Sequence, residues 1–183
     1  MTTLTSESSA RTSAASGAAA DLLQLVSFVI EGEEFGIDIL KVQEIIRPVP
    51  ITRVPNAPPF VEGVINLRGR IVPVIDARKR FGLPAREMNE DSRIVVVELV
   101  GKTVAATKTV GFVMDAVREV IRVERSVIEP PPELAIGIDA DYLSGVAKLE
   151  DRLLILLDVE RILADEEHDA LPQGAADAIP AAA

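Results

Sequence analysis

The stretch GVINLRGRIVPVID at residues 63–76 has a second copy, GVAKLEDRLLILLD, at residues 145–158. The two segments align with an offset of 82 positions, and a Gly, a Val, a Leu, an Arg and an Asp coincide. Upstream, GIDILKVQEIIR at residues 36–47 aligns with GFVMDAVREVIR at residues 111–122, 75 positions later. Two matches in the same order indicate that one structural unit has been duplicated.

Short apolar runs punctuated by Gly and Pro surround both copies, and no long amphipathic helix separates them. Residues 26–30 and 34–39 flank an acidic turn that contains Gly32, a pattern typical of a β-hairpin. Aromatic residues are scarce (3%), so Val, Ile and Leu must build the core, and their branching favours strands. We therefore predict an all-β protein with two small antiparallel barrels and short helical segments.

The repeat places one module at about residues 22–90 and the other at about residues 91–163, within a folded region spanning residues 21–165. The flanking segments, 1–20 and 166–183, are rich in Ala, Ser and acidic residues, and we expect them to be disordered. The sequence leaves open whether the terminal helical turn of one module crosses to the other.

The composition excludes several classes of function. The chain has a formal net charge of −10 and few aromatic side chains, so it lacks the basic surface and stacking platforms of proteins that bind nucleic acid. The absence of Cys excludes disulfides, thiolate catalysis and Cys-ligated metals. Because neither a secretory signal nor an apolar run of bilayer length is recognisable, we expect a soluble protein with no direct membrane insertion.

Motifs for catalysis and for cofactor binding are incomplete. The tripeptide GKT at residues 101–103 resembles the end of a phosphate-binding loop, but Val96 stands where the first Gly is required. The one histidine, His168, lies in the acidic tail. The pair Asp139 and Asp141 lacks the Gly and Glu that a calcium loop needs. The sequence therefore predicts a protein that is not an enzyme and that has no metal site and no cofactor.

Two equivalent aspartates, Asp76 and Asp158, stand where the last strand of each copy is followed by a short helical segment. We predict that each accepts hydrogen bonds from free N–H groups of the first helical turn, as an N-cap. Pro73 interrupts the strand before Asp76, and proline cannot donate to a β ladder. We therefore expect that strand to lie at a sheet edge or to contain a bulge.

The tetrapeptide NLRG at residues 66–69 predicts a turn between two strands. Asn at the first position and Gly at the fourth fit a type I turn with Leu67 and Arg68 at its tip. The equivalent tip of the second copy carries Glu150 and Asp151, so the two tips differ in charge. A plain hairpin turn with a solvated Arg and a binding role for Arg68 both remain open.

Three segments together resemble the CheW family of bacterial chemotaxis coupling (adaptor) proteins: EEFGIDILKVQEI at residues 33–45, ITRVPN at 51–56 and FVEGVINLRGRIVPVID at 60–76. The similarity extends over about residues 22–165. It implies two tandem SH3-like five-stranded β-barrels in a cytoplasmic adaptor. It also implies that the adaptor links the cytoplasmic tips of methyl-accepting chemoreceptors to the regulatory domain of the histidine kinase CheA in membrane-associated arrays.

The resemblance also implies site residues. The receptor contact falls on Val42, Glu44 and Arg68, with an apolar groove where the barrels meet; a core position for Val42 is the alternative left open. The kinase contact falls on the strand and turn around NLRG, at Gly63, Val64, Asn66, Leu67 and Gly69.

Two departures from the common family pattern concern local kinase contacts: an extra residue within IIRP at residues 45–48, and a longer hairpin at residues 101–109. Two other functions stay open. One is a CheW-like scaffold in a chemosensory pathway with another output, such as surface motility. The other is a barrel that binds a small molecule or is enzymatic.

Overall fold

The computed structural model describes residues 21–100, 107–131 and 138–163. The two flanking segments that we expect to be disordered, the GKT tripeptide and His168 lie outside these ranges. The described residues form eleven β-strands and two short α-helices, which confirms the all-β class with short helical segments. None of the helices in these ranges has the length and apolar character needed to cross a membrane.

The elements follow one another in the same order in both halves of the chain. The first half contains β1 (Leu22–Ile30), β2 (Glu33–Asp38), β3 (Val42–Ile46), β4 (Val61–Leu67), β5 (Arg70–Asp76) and α1 (Ala77–Arg80). The second half contains β6 (Arg93–Leu99), β7 (Lys108–Met114), β8 (Ala116–Glu124), β9 (Ile128–Glu129), β10 (Leu143–Lys148), β11 (Leu153–Leu157) and α2 (Val159–Ile162). Single 3₁₀ turns lie at Ile39–Lys41, Arg125–Val127 and Ala140–Tyr142.

These strands form two sheets. The five-stranded sheet has the order β3-β6-β7-β5-β4, and the six-stranded sheet has the order β8-β1-β2-β11-β10-β9. Neighbouring strands pair antiparallel, except that β5 pairs in parallel with β7 and β2 in parallel with β11. The sixth strand is the two-residue β9, whose counterpart in the first half is a single bridge between Thr52 and Val64. The SH3-like character of each barrel stays a prediction.

The two halves of the chain exchange their first hairpins. Hairpin β1-β2 of the first half lies in the six-stranded sheet with β8 to β11, and hairpin β6-β7 of the second half lies in the five-stranded sheet with β3 to β5. The expected boundary near residue 90 therefore separates two copies of the sequence, not two sheets. A hairpin satisfies its own pairing wherever it docks, so its long-range neighbours depend on tertiary packing.

A large core lies between the sheets, and each sheet has a small core of its own. Along β6, Val95 and Val97 face the central core, whereas Ile94 and Val96 face the small core of the five-stranded sheet. Strand β6 is thus buried on both faces, which explains its unbroken run of β-branched residues. The small core of the six-stranded sheet contains Leu25, Val123, Ala147, Leu154 and Leu156.

Both helices begin at the expected aspartates. Asp76 Oδ1 accepts a hydrogen bond from the N–H of Arg78 at 2.9 Å, and Asp158 Oδ1 accepts one from the N–H of Glu160 at 3.0 Å. The predicted N-caps are therefore confirmed.

Arg80 joins the two helices where they meet between the sheets. Its Nε donates to the carbonyl of Ile162 at 2.6 Å. The guanidinium lies over the rings of Phe60 and Tyr142, 4.7 and 5.1 Å from their centroids. Cation–π contacts of this kind stabilise a charged side chain next to an apolar core.

Pro73 lies in an inner strand, so its expected position at an edge or a bulge is wrong: β5 pairs with β4 on one side and β7 on the other. The residue opposite Pro73 is Val64, whose N–H and C=O bond to Thr52 instead of to β5. The ladder with β7 begins one residue later, at Val74. The missing N–H of proline therefore leaves no acceptor of β4 unpaired, which makes the inner position tolerable.

Arg78 fastens the two sheets where the chain passes between them. Its Nε and Nη2 donate to the two carboxylate oxygens of Asp115, at 2.8 and 2.6 Å. It also pairs with Glu31, and its Nη1 donates to the carbonyl of Pro84 at 3.0 Å. Only 10% of the Arg78 side chain is exposed. Since Asp115 connects β7 to β8 and Glu31 lies in the β1-β2 turn, this bidentate contact links α1 to both sheets.

Two carboxylates in this region, the buried Asp76 and the partly buried Asp115, have pKa shifts of opposite sign. Burial raises the pKa of Asp76 above its ordinary value, and the hydrogen bonds from α1 offset this only in part. Burial also opposes the charged form of Asp115, but the Arg78 guanidinium and the hydrogen bond from the Glu31 N–H together outweigh it, so the pKa of Asp115 is lowered.

We expect Arg78→Ala to lower the free energy of unfolding by about 3 kcal/mol, because it removes the buried guanidinium that pairs with the partly buried Asp115 carboxylate. Urea unfolding measures the change. Lys148→Ala removes an exposed ion pair with Glu129 and should cost no more than about 1 kcal/mol. Equal costs for the two variants would contradict a fastening role for Arg78.

The two carboxylates should also give opposite pH dependences of stability. At neutral pH, wild type should be more stable than Asp115→Asn. This difference should decline as the pH falls below about 4, because the lowered pKa means that the folded state takes up the proton less readily than the unfolded state. Relative to Asp76→Asn, wild type should instead become more stable as the pH falls towards about 4, because its folded state binds that proton more tightly. Chemical unfolding between pH 3 and 7 compares them, and slopes of the same sign would contradict this assignment.

Candidate functional site

Gly63 and Val64 lie beneath the segment that follows β3. The N–H and C=O of Val64 bond to Thr52 at 2.8 and 2.9 Å. Gly63 has φ +148°, and a Cβ there would lie only 2.2 Å from the carbonyl oxygen of Thr52. Both residues are buried, so they shape the β4-β5 hairpin from within and present no side chain at its surface.

The NLRG turn is a tighter turn than predicted. Leu67 pairs with Arg70, and the two residues between them, Arg68 and Gly69, both have positive φ (+53° and +83°). This is the type I′ geometry, which matches the twist of a two-residue hairpin, so the expected type I turn is corrected. Asn66 Oδ1 accepts the N–H of Gly69 at 2.8 Å. The tip therefore consists of Arg68 and Gly69, whereas Leu67 packs against the small core of its sheet.

Glu44 and Arg68 form an ion pair between the two edges of the five-stranded sheet. Arg68 Nη2 lies 3.0 Å from Glu44 Oε2. Glu44 belongs to β3, one edge strand, and Arg68 lies in the turn that ends β4, the other edge strand. The Arg68 side chain is 80% exposed, so the pair contributes little to folding and remains open to a partner. The structure thus brings together two of the three predicted receptor-contact residues.

A β-bulge at Gln43 turns Val42 away from this ion pair. Val42 pairs with Val97, which faces the central core, whereas Glu44 pairs with Val96, which faces the small core of the sheet. Residues two apart on a regular strand share one face, but the extra residue sends these two to opposite faces. Val42 is half-buried and packs against the central core. Because β3 is an edge strand and Val42 is only half-buried, part of the Val42 side chain remains accessible at the sheet edge.

Exposed apolar side chains adjoin Val42. Leu40, in the 3₁₀ turn before β3, is 88% exposed, and Ile45 and Val49 are partly exposed. Lys41, between Leu40 and Val42, forms an ion pair with Glu160 of α2. Exposed apolar side chains therefore occur before, within and after β3, and we refer to Leu40, Ile45 and Val49 together as the apolar strip. At the start of β3, Lys41 links the strand to α2 of the six-stranded sheet.

The second copy forms an equivalent ion pair by a different route. Glu119, the counterpart of Glu44, accepts from Arg152 Nη2 at 2.8 Å. Arg152 Nε also lies 3.0 Å from Glu34 Oε2. The hydrogen bond from Arg152 to Glu119 raises the pKa of the arginine. By the repeat, Arg152 is the counterpart of Arg70 and not of Arg68. The second tip keeps its acidic residues outward, so the two tips differ in charge as expected.

The sequence did not predict the ion pairs at the links between the sheets, which join Lys41 to Glu160 and Arg78 to Asp115. Only the repeat offers a signal for them, since Arg78 and Glu160 occupy the same position in α1 and α2. Within the described ranges, no group of three or more His, Cys, Asp or Glu side chains could hold a metal ion.

Comparisons with known proteins agree with one another. The family model described as a CheW-like domain matches residues 24–167. The chain is 40% identical to the chemotaxis protein CheW of Klebsiella aerogenes, covering 79% of this chain and 83% of that protein. It is 39% identical to the chemotaxis protein CheW of Helicobacter pylori, covering 78% and 82%. The crystal structure of the scaffolding protein TtCheW from Thermoanaerobacter tengcongensis superposes with a TM-score of 0.69 at 40% identity, covering 78% of this chain and 88% of the other.

We expect Gly63→Ala to destabilise the protein by about 2–4 kcal/mol, because a Cβ would collide with the Thr52 backbone at a strained φ. Gly32→Ala is the matched control: Gly32 also has a positive φ, but nothing lies within 4 Å of its Cβ position. The control should cost only about 1 kcal/mol. Urea unfolding compares the two, and equal losses would show that the close approach to Thr52 is relieved by a small backbone shift.

Proposed function

The chain belongs to the CheW-like family of chemotaxis scaffold proteins, and from this premise we propose that it couples chemoreceptors to a histidine kinase of the CheA type through two separate surfaces. The family is one of non-catalytic adaptors, and the alternatives of another pathway output or an enzymatic barrel are not favoured. In this proposal the protein acts in the cytoplasm at membrane-associated receptor arrays.

The receptor surface is strand β3 with the turn that faces it. One observation carries this assignment: the exposed Glu44–Arg68 pair lies beside an apolar strip at the open edge of the sheet. A receptor helix laid along that edge would bury apolar side chains near Val42 on one face of β3. It would meet the charged pair on the other face. Such a helix-in-groove contact takes its affinity from the apolar anchors and its register from the charges.

The kinase surface is the β4-β5 hairpin, with Asn66 and Gly69 as its exposed members. Gly63 and Val64 are buried, and Leu67 is half-buried against the small core. We assign these three residues a supporting role: they hold the hairpin in the position from which its exposed backbone meets the regulatory domain.

Arg68→Glu should weaken binding to the receptor tip about tenfold or more, equivalent to at least about 1.4 kcal/mol. The substitution places a second carboxylate beside Glu44, at a site where wild type offers the receptor one positive and one negative side chain. Its effect on stability should stay within about 1 kcal/mol, since the side chain is exposed. Affinities of the purified variant for a receptor-tip fragment and for the kinase regulatory domain decide the matter, and the latter should change less than about threefold.

Two further variants sharpen the test. Glu44→Arg combined with Arg68→Glu keeps an ion pair but reverses its polarity, so stability should recover while receptor binding stays weak. Glu150→Arg, at the equivalent tip of the second copy, should leave receptor binding intact. Parallel losses for receptor and kinase, or full recovery of receptor binding by the double variant, would refute a direct contact at Arg68.

A further inference from the structure

Two ion pairs occupy equivalent places at the crossings between the sheets. By the repeat, Arg78 of α1 corresponds to Glu160 of α2, and each is the residue whose N–H bonds to the N-cap aspartate. Arg78 pairs with Asp115, which connects β7 to β8. Glu160 pairs with Lys41, which connects β2 to β3. Through its ion pair, each short helix thus holds the link by which the chain leaves the exchanged hairpin and crosses to the other sheet. We call each ion pair a clasp. In the first clasp the helix supplies the cation, and in the second it supplies the carboxylate.

The two clasps differ in burial. In the first, the side chains of Arg78 and Asp115 are only 10% and 16% exposed, and Glu31 and Pro84 supply further partners. In the second, the side chains of Lys41 and Glu160 are 37% and 39% exposed. Among the described residues, the second clasp has a single ion pair and no buried third group.

This difference makes one crossing stiff and the other easy to release. Removing one partner from a buried, multiply bonded pair leaves an uncompensated charge, so that pair holds firmly. A partly exposed Lys–carboxylate pair such as Lys41 with Glu160 is screened by water to a greater extent and contributes less to stability. The β7-β8 crossing is therefore held in place, whereas the β2-β3 crossing can shift at little cost in folding free energy.

The easily released crossing is the one that leads into the proposed receptor surface. Lys41 directly precedes Val42, and the N–H of Val42 donates to the carbonyl of Ile39 within the same 3₁₀ turn. At the other end of the clasp, α2 is anchored in the central core by its buried residues Val159 and Ile162. The pair thus connects the start of β3 to an anchored element of the six-stranded sheet.

We propose that Lys41 and Glu160 are positioning residues for the receptor contact, and that their ion pair sets the orientation of β3 relative to the six-stranded sheet. The inference rests on the proposed function. Neither side chain has to touch the receptor; together they hold Val42 and Glu44 in the binding arrangement. Breaking the pair lets β3 sample other orientations, and receptor affinity falls by the fraction of molecules in which the site is misplaced.

Charge reversal tests the pair. Lys41→Glu and Glu160→Lys should each weaken binding to the receptor-tip fragment about fivefold or more, and the double reversal should restore affinity to within about twofold. Thermal midpoints should move by less than about 3 °C in all three variants. The matched control is Lys148 with Glu129, an exposed ion pair in the other sheet. Its single and double reversals should leave receptor affinity unchanged.

Hydrogen exchange provides a readout that does not depend on the receptor. The amides of Val42 and Glu44 should exchange faster in each single reversal and return to wild-type rates in the double reversal. If wild type does not bind the receptor fragment but exchange follows this pattern, the proposed function fails while the positioning role stands.

Three outcomes would overturn the inference. The first is wild-type receptor affinity in both single reversals. The second is loss of affinity that the double reversal does not restore, which would indicate direct contact by one of the side chains. The third is exchange at β3 that is insensitive to every reversal.

Discussion

Neither sheet of this protein can form from one half of the chain, because each takes its first hairpin from the other half. This exchange is the constraint on which the remaining architecture depends. It places the central core between strands from both copies, with Phe28 and Phe35 of one hairpin and Phe112 of the other all buried there. The two copies are therefore one folding unit: separating them would expose the largest apolar surface of the molecule.

The exchange also creates two points where the chain passes from one sheet to the other within a few residues. At both points a side chain of a short helix forms an ion pair with a residue of the passing chain. Asp76 and Asp158 begin the helices that reach these points, and the charged residues two positions later, Arg78 and Glu160, form the ion pairs. At one crossing Arg78 makes four contacts: two with Asp115, one with the carbonyl of Pro84 and one with Glu31. At the other crossing, Lys41 and Glu160 form a single, partly exposed ion pair next to the strand that we assign to the receptor.

The receptor surface that we propose is an edge strand that is irregular in a specific way. A bulge at Gln43 lets β3 present an apolar residue to one side and a carboxylate to the other. The second copy has a bulge at the equivalent place in β8, so the duplication preserved the irregularity together with the strand. The copies differ in the charge at their hairpin tips. They also differ in the burial of the ion pairs that hold the links between the sheets, Arg78 with Asp115 and Lys41 with Glu160. A duplicated scaffold can thereby offer two similar surfaces to different partners.

The sequence by itself determined the features that depend on neighbouring residues. The repeat predicts the order of elements, the branched apolar runs predict strands, and the aspartates at 76 and 158 predict the caps, since each relies on local backbone geometry. Tertiary structure alone decided which hairpin joins which sheet, why an inner strand tolerates Pro73, and that Val42 and Glu44 face opposite ways. These depend on strand partners far away along the chain. Periodicity records which side chains alternate, but it carries no information about the strand that will lie opposite them.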